Sequence, residues 1–223
     1  MLYRHKRDNF LFQIFNKLET VGEYSMPKIK PITEATILNI LPYNYVKSCK
    51  KPEDTFISFY VDDYQFERVW NEPIKSLKLL KQFKGIFAPD FSLYRDFPVI
   101  LNIYNCWRNK VLTAFYQMNG LKVIPNVSWS DEDSYKWCFD GLPTNSILAV
   151  SSNGCIRDKV AKDLFIKGYN EMKRRLSPIK VIFVGTVPKE LESDKIIEHF
   201  PAYSTLFNLK DKSLYFGGDE HGR

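Results

Sequence analysis

The sequence predicts an α/β fold: a single, mostly parallel sheet of about six strands with flanking helices, either an open doubly wound sheet or an incomplete barrel, plus an N-terminal extension. Three observations lead there. From Thr55 onward, short apolar runs bounded by Gly, Pro, Asn or Asp alternate with longer segments of helical period. The runs are almost wholly apolar, as strands covered on both faces must be. A chain of 223 residues with about six strands also falls short of a closed eight-stranded barrel, which takes roughly 250 residues.

Residues 1–50 differ from the rest. An amphipathic start leads into a stretch punctuated by Pro27, Pro31 and Pro42 without strand–helix alternation, which reads as an extension packed on the core. The core domain spans residues 51–212, and residues 213–223 read as a flexible tail. The expected strands are Phe56 to Val61, Gly85 to Ala88, Lys122 to Val127, Ile147 to Val150 and Lys180 to Val184, with a weaker one at Ser204 to Phe207. Helices are expected at about Ile74 to Phe83, Pro98 to Met118, Asp133 to Phe139 and Asp158 to Leu176. In the last of these, Val160, Ala161, Leu164, Phe165, Gly168, Tyr169 and Met172 recur at three- and four-residue spacing to form one buried stripe, and its basic end suits the helix dipole. The long helix from Pro98 has Asp96 to cap its start and Asn119-Gly120 as a left-handed stop. On a wheel of about 100° per residue, Asn102, Asn105 and Asn109 lie opposite the stripe of Ile100, Tyr104, Trp107, Val111 and Met118, so these asparagines are expected to face water.

Composition narrows the function classes. Hydrophobic residues at 44% and charged residues at 26% describe an ordinary globular chain. No run approaches the roughly 20 apolar residues of a membrane span, and Phe10 to Leu18 is broken by Gln13, Asn16 and Lys17, so a cytoplasmic protein without membrane contact is expected. Cys49, Cys106, Cys138 and Cys155 are widely spaced and form no CxxC pair, which reads as reduced thiols rather than a zinc ribbon. Three histidines, two of them near the chain ends, disfavour a catalytic triad or a multi-histidine metal site. The net charge of +6 permits attraction to nucleic acid, nucleotides or acidic proteins, although the basic residues are distributed rather than gathered into an arm.

Ligands of parallel α/β folds bind beyond the carboxyl ends of the strands, and the residues there are polar. Asp62, Asp63 and Tyr64 follow the first strand, Pro89-Asp90-Phe91-Ser92 the second, Asn126, Ser128 and Trp129 the third, and Ser151-Ser152-Asn153-Gly154-Cys155 the fourth. Asp62, Asp63 and Asp90 suit magnesium chelation or acid–base work, because hard cations prefer carboxylate oxygen and neighbouring carboxylates separate their pKa values; they suit helix and turn capping equally. The Ser151–Gly154 turn before a helix offers backbone amides to a phosphate, without a P-loop or dinucleotide fingerprint, and reads also as a plain Asn-Gly turn. Cys155 near that helix end is a candidate nucleophile or a buried structural thiol.

The run APDFSLYRDFP (residues 88–98), the helix carrying NIYNCWRN, GLKVIPNVSW (residues 120–129) and FDGLPTNSILAVSSNGC (residues 139–155) together resemble an uncharacterised bacterial and phage domain-of-unknown-function family, DUF4417-like, over about Thr55 to Pro188. The ordered series PDFS, VIPNVSW and SSNGC carries the resemblance. It implies a phage or mobile-element context and transfers no catalytic residue. The reading that follows is a phage or mobile-element accessory protein binding a phosphate-bearing ligand, a nucleotide or nucleic acid, at the strand-end rim. Asp62 or Asp90 then serves as base or metal ligand, Asp63, Ser92, Asn126 and Ser128 join the site, Ser152 and Asn153 contact phosphate, and Trp129 stacks. The alternative is a non-enzymatic protein that binds a host or replication protein, with the fold as scaffold.

Overall fold

The computed structural model describes residues 10–203 save residue 12, so the expected strand at Ser204 to Phe207 and the expected tail lie outside the described residues. A short antiparallel hairpin of β1 (Thr20–Val21) and β2 (Met26–Pro27) comes first. β3 (Asn39–Pro42), β4 (Thr55–Ser58), β5 (Gly85–Phe87) and β6 (Val123–Ile124) then form a four-stranded parallel sheet. β7 (Ile147–Ser151), β8 (Lys180–Val184) and β9 (Ile197–Phe200) form a three-stranded parallel sheet.

The chain is thus α/β, but the single six-stranded sheet expected from the sequence is divided in two. Pro125 supplies the reason: it follows β6 and has no N–H to continue the ladder. The two sheets are joined at a parallel bridge between Asn126 and Ala149. There the amide of Ala149 donates to the Pro125 carbonyl at 2.8 Å and the amide of Val127 donates to Ala149 at 2.9 Å. In both sheets strand order follows chain order, without the reversal that marks a doubly wound sheet. β3 was not expected at all; it pairs with β4 from within the proline-punctuated segment.

Side chains alternate between two environments, as a pleated strand requires. Phe56, Phe87, Ile124, Ile147, Ala149, Ile182 and Val184 feed one cluster shared by both sheets. Ile57, Ile86 and Val123 point into a second cluster under the helices of the first sheet. Leu148, Val150, Val181 and Phe183 point into a third.

Among the described residues, the outer faces are covered by α1 (Arg68–Asn71), α2 (Pro73–Leu80), α3 (Val99–Met118) and α4 (Lys159–Leu176). The helix expected at Asp133 to Phe139 is a single 3-10 turn, Asp133–Lys136. α4 begins as its sequence predicts, with the Asp158 carboxylate accepting from the Ala161 amide at 2.8 Å. Phe165, Gly168, Tyr169 and Met172 of its stripe are buried, whereas Val160 is exposed. α3 stops at Asn119 and Gly120, the latter at φ +80°. Its start differs from expectation: Pro98 occupies the cap position without a side-chain cap, and Asp96 pairs with Arg95.

The orientation of α3 corrects the helical-wheel reading. Asn102, Asn105 and Asn109 are 3%, 8% and 8% exposed, while Ile100 is 65% exposed and Tyr104 40%. Val111 is buried as expected. The asparagines turn inward because the loop between β5 and α3 has no regular partner for its backbone, and they supply one.

Candidate functional site

That loop, residues 88–98, is fastened to α3 by amide side chains at i, i+3 and i+7. Asn109 accepts from the Phe91 amide at 2.8 Å and donates to its carbonyl at 3.1 Å. Asn105 donates to the Ser92 carbonyl at 2.7 Å. Asn102 accepts from the Tyr94 amide at 3.0 Å and donates to its carbonyl at 2.8 Å. Arg108, on the same helix, donates to both Glu67 oxygens at 3.0 Å and to Asn105 at 3.0 Å, with its guanidinium 3.4 Å above the Phe91 ring. The loops after β4 and β5 are therefore locked together, and Asp63 is part of the lock: it accepts from the Ser92 hydroxyl at 2.9 Å and lies 3.9 Å from Arg108.

Above this frame, at the carboxyl ends of the strands, lies a cleft of about 590 Å³. Asp62, Asp90, Ser92, Ser128, Trp129 and Asn153 all line it. Three other residues expected at the site stand behind its wall. Asp63 is held as just described. Asn126 lies beneath Asp90, donating to its carboxylate at 2.7 Å. Ser152 is buried and donates to the Thr186 carbonyl at 2.8 Å.

Asp90 is the chemically distinctive group. It is half-buried, and burial, reinforced by the charge of Asp63, pushes its carboxyl up to about 7 against hydrogen bonds from Ser128 and Asn126 that pull it down. A carboxyl titrating near neutrality exchanges protons readily in either direction. Sequence reading missed its neighbour Tyr60, whose hydroxyl donates to Asn126 Oδ1 at 2.8 Å and thereby extends a chain Tyr60–Asn126–Asp90. Burial and the Asp90 charge hold the Tyr60 phenol protonated. The signal for it was present in the sequence: a polar tip at the end of an otherwise apolar strand.

The remaining lining sets limits. The Ser152 amide donates to the Val184 carbonyl of β8, the Asn153 amide to Ser151 Oγ and the Cys155 amide to the Ser152 carbonyl, so these donors are already taken. The α4 N-terminus already holds the Asp158 carboxylate, which in turn accepts from Arg95 at 2.9 Å. Cys155 is pushed up by burial and by Asp90, which keeps it a thiol and not a thiolate nucleophile. Trp129 is fixed as a wall: its Nε1 donates to the Leu164 carbonyl at 3.2 Å, and a Cβ on Gly168 would fall 2.1 Å from that nitrogen, so the close approach requires glycine. Among the described residues, no group of three His, Cys, Asp or Glu side chains is placed to hold a metal ion. None of the described helices is long and apolar enough to cross a membrane.

Fold and site thus define an α/β protein with a strand-end cleft built around an elevated aspartate. Residues 18–201 match the family described as a domain of unknown function, DUF4417, and the chain belongs to that family. It is similar to the Gene 1 protein of Mycobacterium phage L5, at 36% identity over 58% of this chain and 56% of that protein. It is also similar to the Gene 1 protein of Mycobacterium phage D29, at 31% identity over 86% of this chain and 70% of that protein. The chain therefore spans little more than half the length of the first of these relatives. No solved structure matches it. The PDFS, VIPNVSW and SSNGC segments, which carry the family resemblance, all contribute residues to the cleft.

Proposed function

We propose that this is a phage accessory protein whose rim cleft binds a nucleotide-sized, phosphate-bearing ligand, with the base end directed inward and Asp90 acting on it as general acid or base. The observation that carries the reading is Asp90 itself, at the floor of a concave surface assembled from successive strand ends and anchored from behind by Asn126. The cleft is of the size that ordinary small ligands occupy, roughly 300–1,000 Å³. Val127, Leu93, Phe165 and Trp129 give an apolar wall for a ring, and Asp90 gives an acceptor for its N–H donors.

Charge sets the orientation. The lining carries Asp62, Asp90, Asp96 and Asp158 against Arg95, so a phosphate would sit beside Arg95 by taking it from Asp158 and Asp96, and not beside Asp90. The same charges disfavour a long polyanion such as duplex DNA along this rim. Sequential parallel strands are consistent with the incomplete-barrel form of the fold, in which ligands meet the strand ends.

Thermal shift with nucleosides, nucleotides with and without magnesium, and short oligonucleotides tests the proposal. A ligand at 100 times its Kd adds about 2.7 kcal/mol, and Asp90→Asn should remove that gain. Stabilisation by oligonucleotides alone, or by nothing in the panel, contradicts it. A second reading has its own observation: Phe97, Val99, Ile100, Leu101 and Tyr104 expose an apolar surface beside the mouth, as a docking site for a host or replication protein does. Loss of partner binding in Ile100→Asp with ligand binding intact would favour that reading.

A further inference from the structure

Behind the cleft wall lies a second polar cluster that the proposed site does not use. Lys110 is 5% exposed and sits one helical turn from Cys106 on the inward face of α3. Its Nζ donates to Cys106 Sγ at 2.9 Å and to the Cys138 carbonyl at 2.8 Å. Among the described residues no carboxylate forms an ion pair with it, although the charge of Asp140 is felt nearby, so the nitrogen is shared between the Cys106 sulfur and the Cys138 carbonyl. Beside them is a cavity of about 20 Å³ lined by Cys106, Lys110, Cys138, Asn109, Thr113 and Asn126. That is room for about one water-sized molecule.

We propose that Cys106 and Lys110 are an oxidation site that closes to a sulfur–nitrogen bond. Hydrogen peroxide, the co-reactant, oxidises the Cys106 thiol to a sulfenic acid and is itself reduced to water. The Lys110 ammonium gives up a proton to solvent, its nitrogen then attacks that sulfur, the S–O bond breaks, and the hydroxyl leaves as water with a second proton from nitrogen. One thiol, one amine and one peroxide give one S–N link and two waters, and the chain loses two hydrogens. Sulfenic acids condense with a thiol or with a backbone nitrogen, and here a side-chain nitrogen is already in contact with the sulfur.

The other cysteines are placed differently. Cys106 and Cys138 are both buried, and burial holds the Cys138 thiol protonated, as burial and the Asp90 charge hold Cys155. Cys49 faces the Thr55 hydroxyl at 3.7 Å. Among the described residues, Cys106 is the cysteine with a side-chain amine at its sulfur. The bridge would neutralise a buried lysine directly behind Asn126 and Asn109, the residues that hold Asp90 and its loop.

The test is peptide mapping of the full chain after graded hydrogen peroxide, without reductant. The expected product joins Cys106 to Lys110, lacks two hydrogens, resists trypsin at Lys110, and reverts with dithiothreitol. Cys138→Ser should retain it, and Lys110→Arg should lose it, leaving Cys106 to advance to sulfinic acid. A Cys106–Cys138 disulfide, or oxidation confined to Cys49 and Cys155, overturns the inference. The wild-type map decides the matter even if a variant fails to fold.

Discussion

Replacing Asn109 with Ala removes both hydrogen bonds that hold the backbone of Phe91, a residue with no solvent exposure. A buried donor or acceptor left without a partner costs about 1–3 kcal/mol, so the pair together should cost about 2–5 kcal/mol once partial relaxation is allowed. At about 2–4 °C per kcal/mol for a chain of this size, the melting temperature should fall by roughly 4–20 °C. Urea unfolding and calorimetry of Asn109→Ala measure this directly. Asn170→Ala is the control, an exposed helical asparagine that should stay within about 0.5 kcal/mol of the parent. If Asn109→Ala also stays within about 0.5 kcal/mol, the amide ladder does not hold the loop, and the account of how Asp90 is positioned fails with it.

Two further outcomes follow from the same geometry. Gly168→Ala places a Cβ 2.1 Å from Trp129 Nε1 and should destabilise by about 1–3 kcal/mol, with the change reported by Trp fluorescence; unchanged emission and stability would contradict the fixed-wall description. Asp90→Asn should stabilise the protein at alkaline pH. Because the folded state keeps a proton up to about 7 that the unfolded chain has lost by about pH 4, wild-type stability should fall across that window and level above it. The variant lacks this slope and should exceed wild type by roughly 1–3 kcal/mol at pH 8; parallel pH profiles would show that Asp90 is not elevated.

Much of this architecture is legible in the sequence, for reasons that also explain the failures. β5, β7 and β8 are read to within a residue of their bounds because both faces are covered and, Lys180 apart, their residues are apolar or small, whereas the expected run Phe56 to Val61 finds β4 but overshoots its end at Ser58. β9 is missed because its Glu198 and His199 break the apolar run: Glu198 pairs with Lys180, and His199 meets the Gly185 carbonyl at 2.6 Å. The expected run Lys122 to Val127 overshoots β6 because Pro125 continues the apolar pattern but has no N–H for the ladder. The strand-end rule places Asp62, Asp90, Ser92, Ser128, Trp129 and Asn153 around one cleft without knowledge of tertiary structure. It cannot tell lining from backing, which is why Asp63, Asn126 and Ser152 fall behind the wall. The α3 asparagines mislead because a helical wheel assumes that polar means exposed, whereas an irregular loop needs buried amides to satisfy its backbone.

Carbon-13 NMR of the aspartate carboxyl groups, with Asp90 assigned by difference against Asp90→Asn, is the measurement closest to the central claim. The account predicts a titration midpoint near 7 for Asp90, and movement of that resonance when a nucleoside or nucleotide enters the cleft. A midpoint near 4, the ordinary range for an exposed aspartate, with no response to any ligand in the panel, would contradict both the acid–base role and the site.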